Sequence, residues 1–172
     1  MTVDIRVVAD GDAEALARLL IRNRDFLAPW DPVRSDAYFT VEGQRTLLDQ
    51  ALRRYQQGLD WPGMIMVDDV PVGRVNLNNV VLGAFCSADL GYWVDQARNG
   101  RGVATAAVAA VLRVAFDDLG LHRVQAGTLL HNRGSQRVLE RNGFTPIGMA
   151  PGYIQIAGRW QDHLLFQRLA DD

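Results

Sequence analysis

The sequence has a single cysteine, Cys86, and only three histidines, His122, His131 and His163, scattered through 172 residues. One cysteine excludes an internal disulfide and every multi-cysteine zinc site, and the histidines show no metal-ligand spacing, so no bound metal is expected. Cys86 has no activating base nearby in sequence, which argues against a covalent thiol nucleophile. No run approaches the roughly 20 uncharged apolar residues of a membrane span. The start, Met1-Thr2-Val3-Asp4-Ile5-Arg6, has neither a basic n-region nor an apolar h-region, so a cytoplasmic protein without membrane contact is expected. Neither sign of charge dominates: the formal net charge of −2 argues against broad non-specific nucleic-acid binding. What is present, 48% hydrophobic and 22% charged residues, suffices for the core of one domain over 1–172.

Local patterns then order the chain. Ile5 and Val7 read as a short strand, and Asp10-Gly11-Asp12 turns out of it with Asp10 or Asp12 available to cap a helix. Leu16, Leu19 and Leu20 stripe that helix, which is expected to reach Asn23 and Arg24 and to fail before Pro29. Phe26-Leu27-Ala28-Pro29-Trp30-Asp31-Pro32 reads as a rigid aromatic loop. A second helix is predicted over 41–57, with Leu47, Leu48, Ala51, Leu52 and Tyr55 inward and Gly58 as its stop. Strands over 64–67 and 70–77 join at a hairpin turn, Asp68-Asp69, and 82–85 leads into a strand over 89–94. A largely buried helix is predicted over 102–119, then a strand over 124–130, a helix over 133–141 and a strand over 144–149. The chain closes with a hairpin, 153–156 and 160–168, about Ala157-Gly158-Arg159, with Leu164 and Phe166 alternating inward. This order indicates an α/β (α+β) architecture, a mixed central sheet flanked by helices.

Asn99-Gly100-Arg101-Gly102-Val103-Ala104, between the strand-like Leu90-Gly91-Tyr92-Trp93-Val94-Asp95 and an alanine-rich helix, has the form of a phosphate cradle. The first turn of a helix leaves backbone N–H groups without partners, and the aligned peptide dipoles favour an anion there. Gly100 and Gly102 allow close approach, Ala104 keeps it open, and Arg98 and Arg101 add positive charge. The same glycines could instead only form a tight turn. A dinucleotide-binding fingerprint would need a third glycine where Thr105 stands and an acidic residue where the next strand ends in Leu129-Leu130-His131. A P-loop would need glycine followed by Lys and Ser or Thr, and no such run occurs.

Together with Tyr92-Trp93-Val94-Asp95, Asn132-Arg133-Gly134-Ser135 and Arg141-Asn142-Gly143-Phe144, the cradle resembles the acyl-CoA-binding motif of the GNAT acetyltransferase superfamily. Gly102-Val103-Ala104 fits that motif, while Asn99 replaces its usual Gln or Arg. Further blocks are similar to the bacterial ribosomal-protein N-terminal alanine acetyltransferases: 23–34, Leu90-Gly91-Tyr92, His122-Arg123, His131-Asn132 and Gly158-Arg159-Trp160-Gln161-Asp162-His163. The resemblance implies the GNAT fold with splayed parallel central strands. It also implies acetyl-CoA as co-substrate, its pyrophosphate on the cradle formed by Asn99, Gly100, Arg101, Gly102, Val103, Ala104 and Thr105. Trp93 or Val94 would polarise the thioester through a backbone N–H, Asn132 would contact the cofactor, and Ser135 would protonate the departing thiolate.

The base is less defined. Some members of the superfamily carry a glutamate where this chain has Gly127 or Ile154, which leaves Asp89 and His131 as candidates for a base or a water-positioning group. An α-amine, with a reference pKa of about 7.7–8.0, is on the order of a tenth neutral at pH 7, whereas lysine, at about 10.4, is almost wholly charged. A site without a strong base therefore suits a protein N-terminus. Trp30, Trp93 and Tyr153 are candidates for the acceptor wall, with Trp30 favoured because Pro29 and Pro32 hold it in a loop. Asp162-His163 could make either a structural hydrogen bond or an acceptor contact. The expected acceptor is the N-terminal amine of a ribosomal or other protein, taken up by a monomer or homodimer. The alternatives are a small amine, such as a polyamine or an aminoglycoside, and a silent acyl-CoA-binding module.

Overall fold

Two adjacent aspartates make the first tight hairpin. Asp68 and Asp69 both have positive φ, 48° and 64°, the backbone that a two-residue type I′ turn requires. In this computed structural model, which describes residues 1–171, the turn joins β2 (Trp61–Val67) to β3 (Val70–Val81). The other strands are β1 (Val3–Val7), β4 (Ser87–Val94), β5 (Arg123–Leu129), β6 (Thr145–Ile156) and β7 (Arg159–Leu169). They form one open sheet in the order β1-β2-β3-β4-β5-β7-β6, antiparallel throughout except between β4 and β5. Alongside lie α1 (Ala13–Arg22), α2 (Arg24–Leu27), α3 (Val41–Gln56), α4 (Val103–Arg113) and α5 (Arg133–Arg141).

The period of two along each strand sends alternate side chains to two separate cores. On one face Ile65, Val67, Val75, Leu77, Leu90 and Val94 pack with Val103, Ala107, Val108 and Val111 of α4. On the other, Met64 packs with Leu16 of α1 and Leu48 of α3, and Trp93 lies against them. Each fully buried Val or Leu stabilises the fold by roughly 1.5–3 kcal/mol. Leu90 and Val94 thus share the α4 face with Tyr92, while Trp93 between them faces the α1–α3 side.

Several expectations need correction. Residues 82–85 do not lead into β4 as a strand but form the turn before it, with Gly83 at φ +73°. Leu47 and Tyr55 are exposed, and only Leu48 of the α3 stripe is fully buried. Asp12 stands at the N-cap of α1 without bonding the helix; its carboxylate accepts from the Arg6 guanidinium and from Ala9 N–H. Burial pushes the Asp12 pKa up, but those bonds outweigh it and hold the carboxyl below its usual range. The helix begun by α4 is α-helical only to Arg113; Val114–Asp118 is a π turn, and Leu119 N–H donates to Val114 O at 2.9 Å. The C-terminal turn is shorter than expected: Ala157 and Gly158, both at positive φ, make it alone, and Arg159 already belongs to β7.

Two features set up the site. β4 and β5 pair only at Ser87↔Arg123, Ala88↔Val124 and Asp89↔Gln125, although they run on to Val94 and Leu129. Beyond the last rung the sheet is open, as the GNAT resemblance implied. Asn23, expected inside a continuous helix, instead ends α1 and is buried: its Nδ2 donates to Leu19 O and its Oδ1 accepts from Gln96 N–H, both at 2.8 Å. Beside it Arg22 pairs with the buried Asp95 carboxylate. These bonds fix the exit of β4 to the end of α1.

Asn23→Ala leaves the Gln96 N–H without its partner. It is expected to lower stability by about 1–3 kcal/mol, read as a melting point lower by about 2–10 °C. An unchanged melting curve would show that the clamp carries no load.

Candidate active site

The open stretch between β4 and β5 is the floor of a cleft of about 700 Å³. Tyr92, Trp93 and Val94 line one side, and His131 to Ser135 line the other. Asp95 N–H donates to Val72 O of β3 at 2.7 Å, so by strand alternation Trp93 also hydrogen-bonds toward β3. Val94 has the opposite parity, and its N–H points to the open edge.

The turn after β4 winds through Gln96–Arg98 to Asn99, and Gly100 and Gly102 follow at φ +72° and +78°. Gly102 is the N-cap of α4, and no side chain caps that helix. Its first free donors, the N–H groups of Val103, Ala104 and Thr105, open on the cleft, while Ala106 N–H returns to Gly102 O at 3.0 Å. A Cβ built on Gly102 would meet nothing within 4 Å, so the left-handed backbone and the open cradle mouth, not neighbouring protein, account for the glycine.

Across the cleft, Asn132 caps α5: its Oδ1 accepts from Ser135 N–H at 3.1 Å. Ser135 Oγ lies 2.8 Å from the Tyr92 hydroxyl, which also donates to Ser135 O at 3.2 Å. Burial pushes the Tyr92 phenol up to about 12, against the opposing pull of Ser135, so the phenol stays protonated at neutral pH. At the far end the Trp30 and His131 rings lie 5.4 Å apart. The Trp30 loop is pinned on both sides. Arg24 stacks on Phe39 and pairs with Asp36, Arg34 stacks on Tyr38 and pairs with Asp31, and Ala157 N–H donates to Asp31 O at 3.0 Å.

Of the predicted site residues, the fold brings Trp30, Trp93, Val94, Asn99, Gly100, Gly102, Val103, Ala104, Thr105, His131, Asn132 and Ser135 to this one cleft. Arg101 is exposed and not part of the lining. Asp89 lies elsewhere: its carboxylate accepts from Gln125 Nε2 and Asn79 Nδ2, each at 3.0 Å, and so fastens the last β4–β5 rung. Tyr153 stands on the hairpin with its ring 5.6 Å from His163, outside the cleft. His163 is buried and bonded to Gln161 O, and Asp162 accepts from Gly152 N–H, so both have structural bonds.

Sequence reasoning did not single out Tyr92 or the α5 arginines. Arg133, Arg137 and Arg141 recur every fourth residue and all line the cleft, a helical stripe visible in the sequence itself. With Arg98 they make the lining basic, and no carboxylate belongs to it among the described residues. A smaller hollow of about 330 Å³, lined by Leu130, His131, Arg159, Trp160, Gln161 and Asp162, meets the cleft at His131.

The sequence pattern of the "Acetyltransferase (GNAT) domain" family matches residues 3–145. The chain belongs to the GNAT acetyltransferase family. It is 38% identical over 99% of its length, and 96% of the relative's, to a probable N-acetyltransferase, YjcK, of Bacillus subtilis. It is 35% identical to the [ribosomal protein uS5]-alanine N-acetyltransferase of Escherichia coli, over 94% of this chain and 84% of the other. Mycobacterium smegmatis RimJ, solved in complex with CoA-disulfide, superposes with a TM-score of 0.95 at 33% identity, over 98% of this chain and 82% of that one. The ribosomal-protein-S5-alanine acetyltransferase of Vibrio fischeri gives a TM-score of 0.94 at 32% identity, over 100% of this chain and 95% of the other. This GNAT chain is therefore an acyltransferase-family enzyme, with the mixed, splayed sheet of that fold.

Proposed function

We propose that the enzyme moves acetyl from acetyl-CoA to the N-terminal α-amine of a protein, a ribosomal protein foremost. The observation that carries the reading is the parting of β4 and β5 after Asp89↔Gln125, which runs one cleft from the uncapped start of α4 to Ser135 and His131. The residues present fit acetyl-CoA. The free N–H groups of Val103, Ala104 and Thr105 would hold its pyrophosphate, with Asn99 at the cradle edge and Arg98, Arg137 and Arg141 neutralising phosphate charge. The pantetheine arm would fill the gap between the strands.

Acetyl-CoA supplies an activated thioester carbonyl. Val94 N–H, aimed at the open edge, would donate to the oxygen as negative charge gathers on it. Ser135 would donate to the sulfur as the C–S bond breaks. His131 stands where cleft and hollow meet and is the one imidazole in the lining, suited to accept or relay the proton the amine sheds. The acceptor chain would enter through the hollow at Arg159–Asp162, with Trp30, tilted against His131, forming its wall. With no carboxylate in the cleft lining, and with Asp162 of the hollow accepting from Gly152 N–H, a readily deprotonated α-amine suits the site better at neutral pH than lysine. The E. coli uS5-alanine acetyltransferase at 35% identity supports the same choice of acceptor.

CoA release is expected with peptides that begin with alanine and not with the same peptides blocked at the N-terminus. Turnover confined to spermidine or aminoglycosides would overturn the acceptor assignment, and tight acetyl-CoA binding with no transfer at all would mark a silent binding module. The chain contains no lysine, so self-acetylation on an amine could fall only on its own N-terminus, and the blocked peptide reads that background. With a peptide acceptor, kcat/KM is expected to rise about tenfold per pH unit up to about 7.5 and to level near 8; a rise continuing to about pH 10 would indicate a lysine-like amine.

Gly102→Ala keeps a small residue but adds a Cβ at φ +78°, at a cost of about 1 kcal/mol in stability. It is expected to weaken acetyl-CoA binding at least about tenfold by titration calorimetry, since the methyl group fills the mouth where a phosphate would sit. Unchanged affinity would refute the cradle assignment.

A further inference from the structure

Tyr92 belongs to a strand, and Ser135 to a helix on the far side of the gap. Their hydroxyls nevertheless meet at 2.8 Å. The strand ladder has already ended at Asp89↔Gln125, so this contact is a side-chain bridge over the place where backbone pairing has stopped. All three polar groups of Ser135 have partners there: its N–H donates to Asn132 Oδ1, its carbonyl accepts from Tyr92, and its hydroxyl meets Tyr92.

A phenol has one proton to give, and both oxygens within its reach belong to Ser135, the hydroxyl at 2.8 Å and the carbonyl at 3.2 Å. The hydroxyl is the nearer acceptor, so the proton lies toward it and is shared with the carbonyl in a three-centre bond. Burial, by holding the phenol protonated, keeps that donor in place through the neutral range. A serine oxygen that receives this proton sends its own elsewhere, and Ser135 lines the cleft.

We propose that Tyr92 is a positioning residue that turns the Ser135 hydroxyl so that its proton faces the sulfur of bound CoA. The proposal rests on the acetyl-CoA reading above. In the transfer the amine nitrogen bonds to the acetyl carbon, the C–S bond breaks, and its electron pair goes to sulfur. Ser135 gives its proton to that sulfur and regains one from the proton the nitrogen loses, so the products are the amide and the thiol. Tyr92 touches neither reactant. Without it, the serine proton is free to turn back toward the helix, and a lone pair faces the developing thiolate.

The test needs no acceptor. The thiol of CoA bound to the protein is titrated by its thiolate absorbance in the wild type, Tyr92→Phe, Ser135→Ala and the double variant. Tyr92→Phe is expected to raise the bound thiol pKa by about one unit, a tenfold change in the equilibrium. Ser135→Ala should raise it at least as much, and the double variant no further than Ser135→Ala. In turnover, Tyr92→Phe should lower kcat about tenfold and leave KM for acetyl-CoA within about threefold, and should do nothing in the Ser135→Ala background. An unchanged thiol pKa in Tyr92→Phe, or an equal rise with and without Ser135, overturns the proposal. If Tyr92→Phe does not fold, an unchanged thiol in Ser135→Ala overturns it alone. Failure of the wild type to bind CoA overturns the cofactor reading as well, which binding with an unperturbed thiol would leave standing.

Discussion

Strands β4 and β5 exchange backbone hydrogen bonds over a few residues and then part, and the rest of the site depends on where that parting begins. A buried backbone amide that leaves a ladder must find another partner, because an unpaired one costs about as much as a lost hydrogen bond. Past Asp89 the β4 groups that face β5 open instead on a cleft, which turns part of a sheet into a row of donors and acceptors for a ligand. The parting point is held by side chains. Gln125 and Asn79 both donate to the Asp89 carboxylate at the last rung. Beyond it, Tyr92 and Ser135 hold the two sides at the separation their hydroxyls set.

The same strand carries the load at its other end. Val94 leads into Asp95 and Gln96, which are bonded to Arg22 and Asn23 at the end of α1. The cradle glycines start from that fixed point, so the start of α4 is aimed by a clamp from the opposite face of the sheet. The Trp30 loop, which follows α1 and α2, is tied in turn to the β6–β7 turn through Asp31 O. The start of α4, the Ser135 hydroxyl and the Trp30 loop are thus positioned by bonds that all lead back to β4.

What could be read from the sequence was local. The bounds of α5, the Asp68-Asp69 turn and the helix start after Gly102 each depend on neighbouring residues, and each stands in the structure as expected. Asp89 could not be assigned from the sequence, because its partners come from β3 and β5, ten and thirty-six positions away. The chemistry of Tyr153 suits an acceptor wall, but its place beside His163 follows a register shift in β6 that no local pattern encodes. In the sequence Tyr92 stands out only as part of a motif. Its alternation with Leu90 and Val94 assigns its face, but its closeness to Ser135 depends on a strand separation that no local pattern encodes.

The central claim is that the gap between β4 and β5 is the acetyl-CoA site. Backbone amide chemical shifts during titration with acetyl-CoA test it most directly. The account predicts that the largest changes fall at Val94, at residues 102–105 and at Ser135, and that β1 and β2 stay still. Changes that spare 102–105 while appearing elsewhere on the sheet, or no changes at saturating acetyl-CoA, would contradict it.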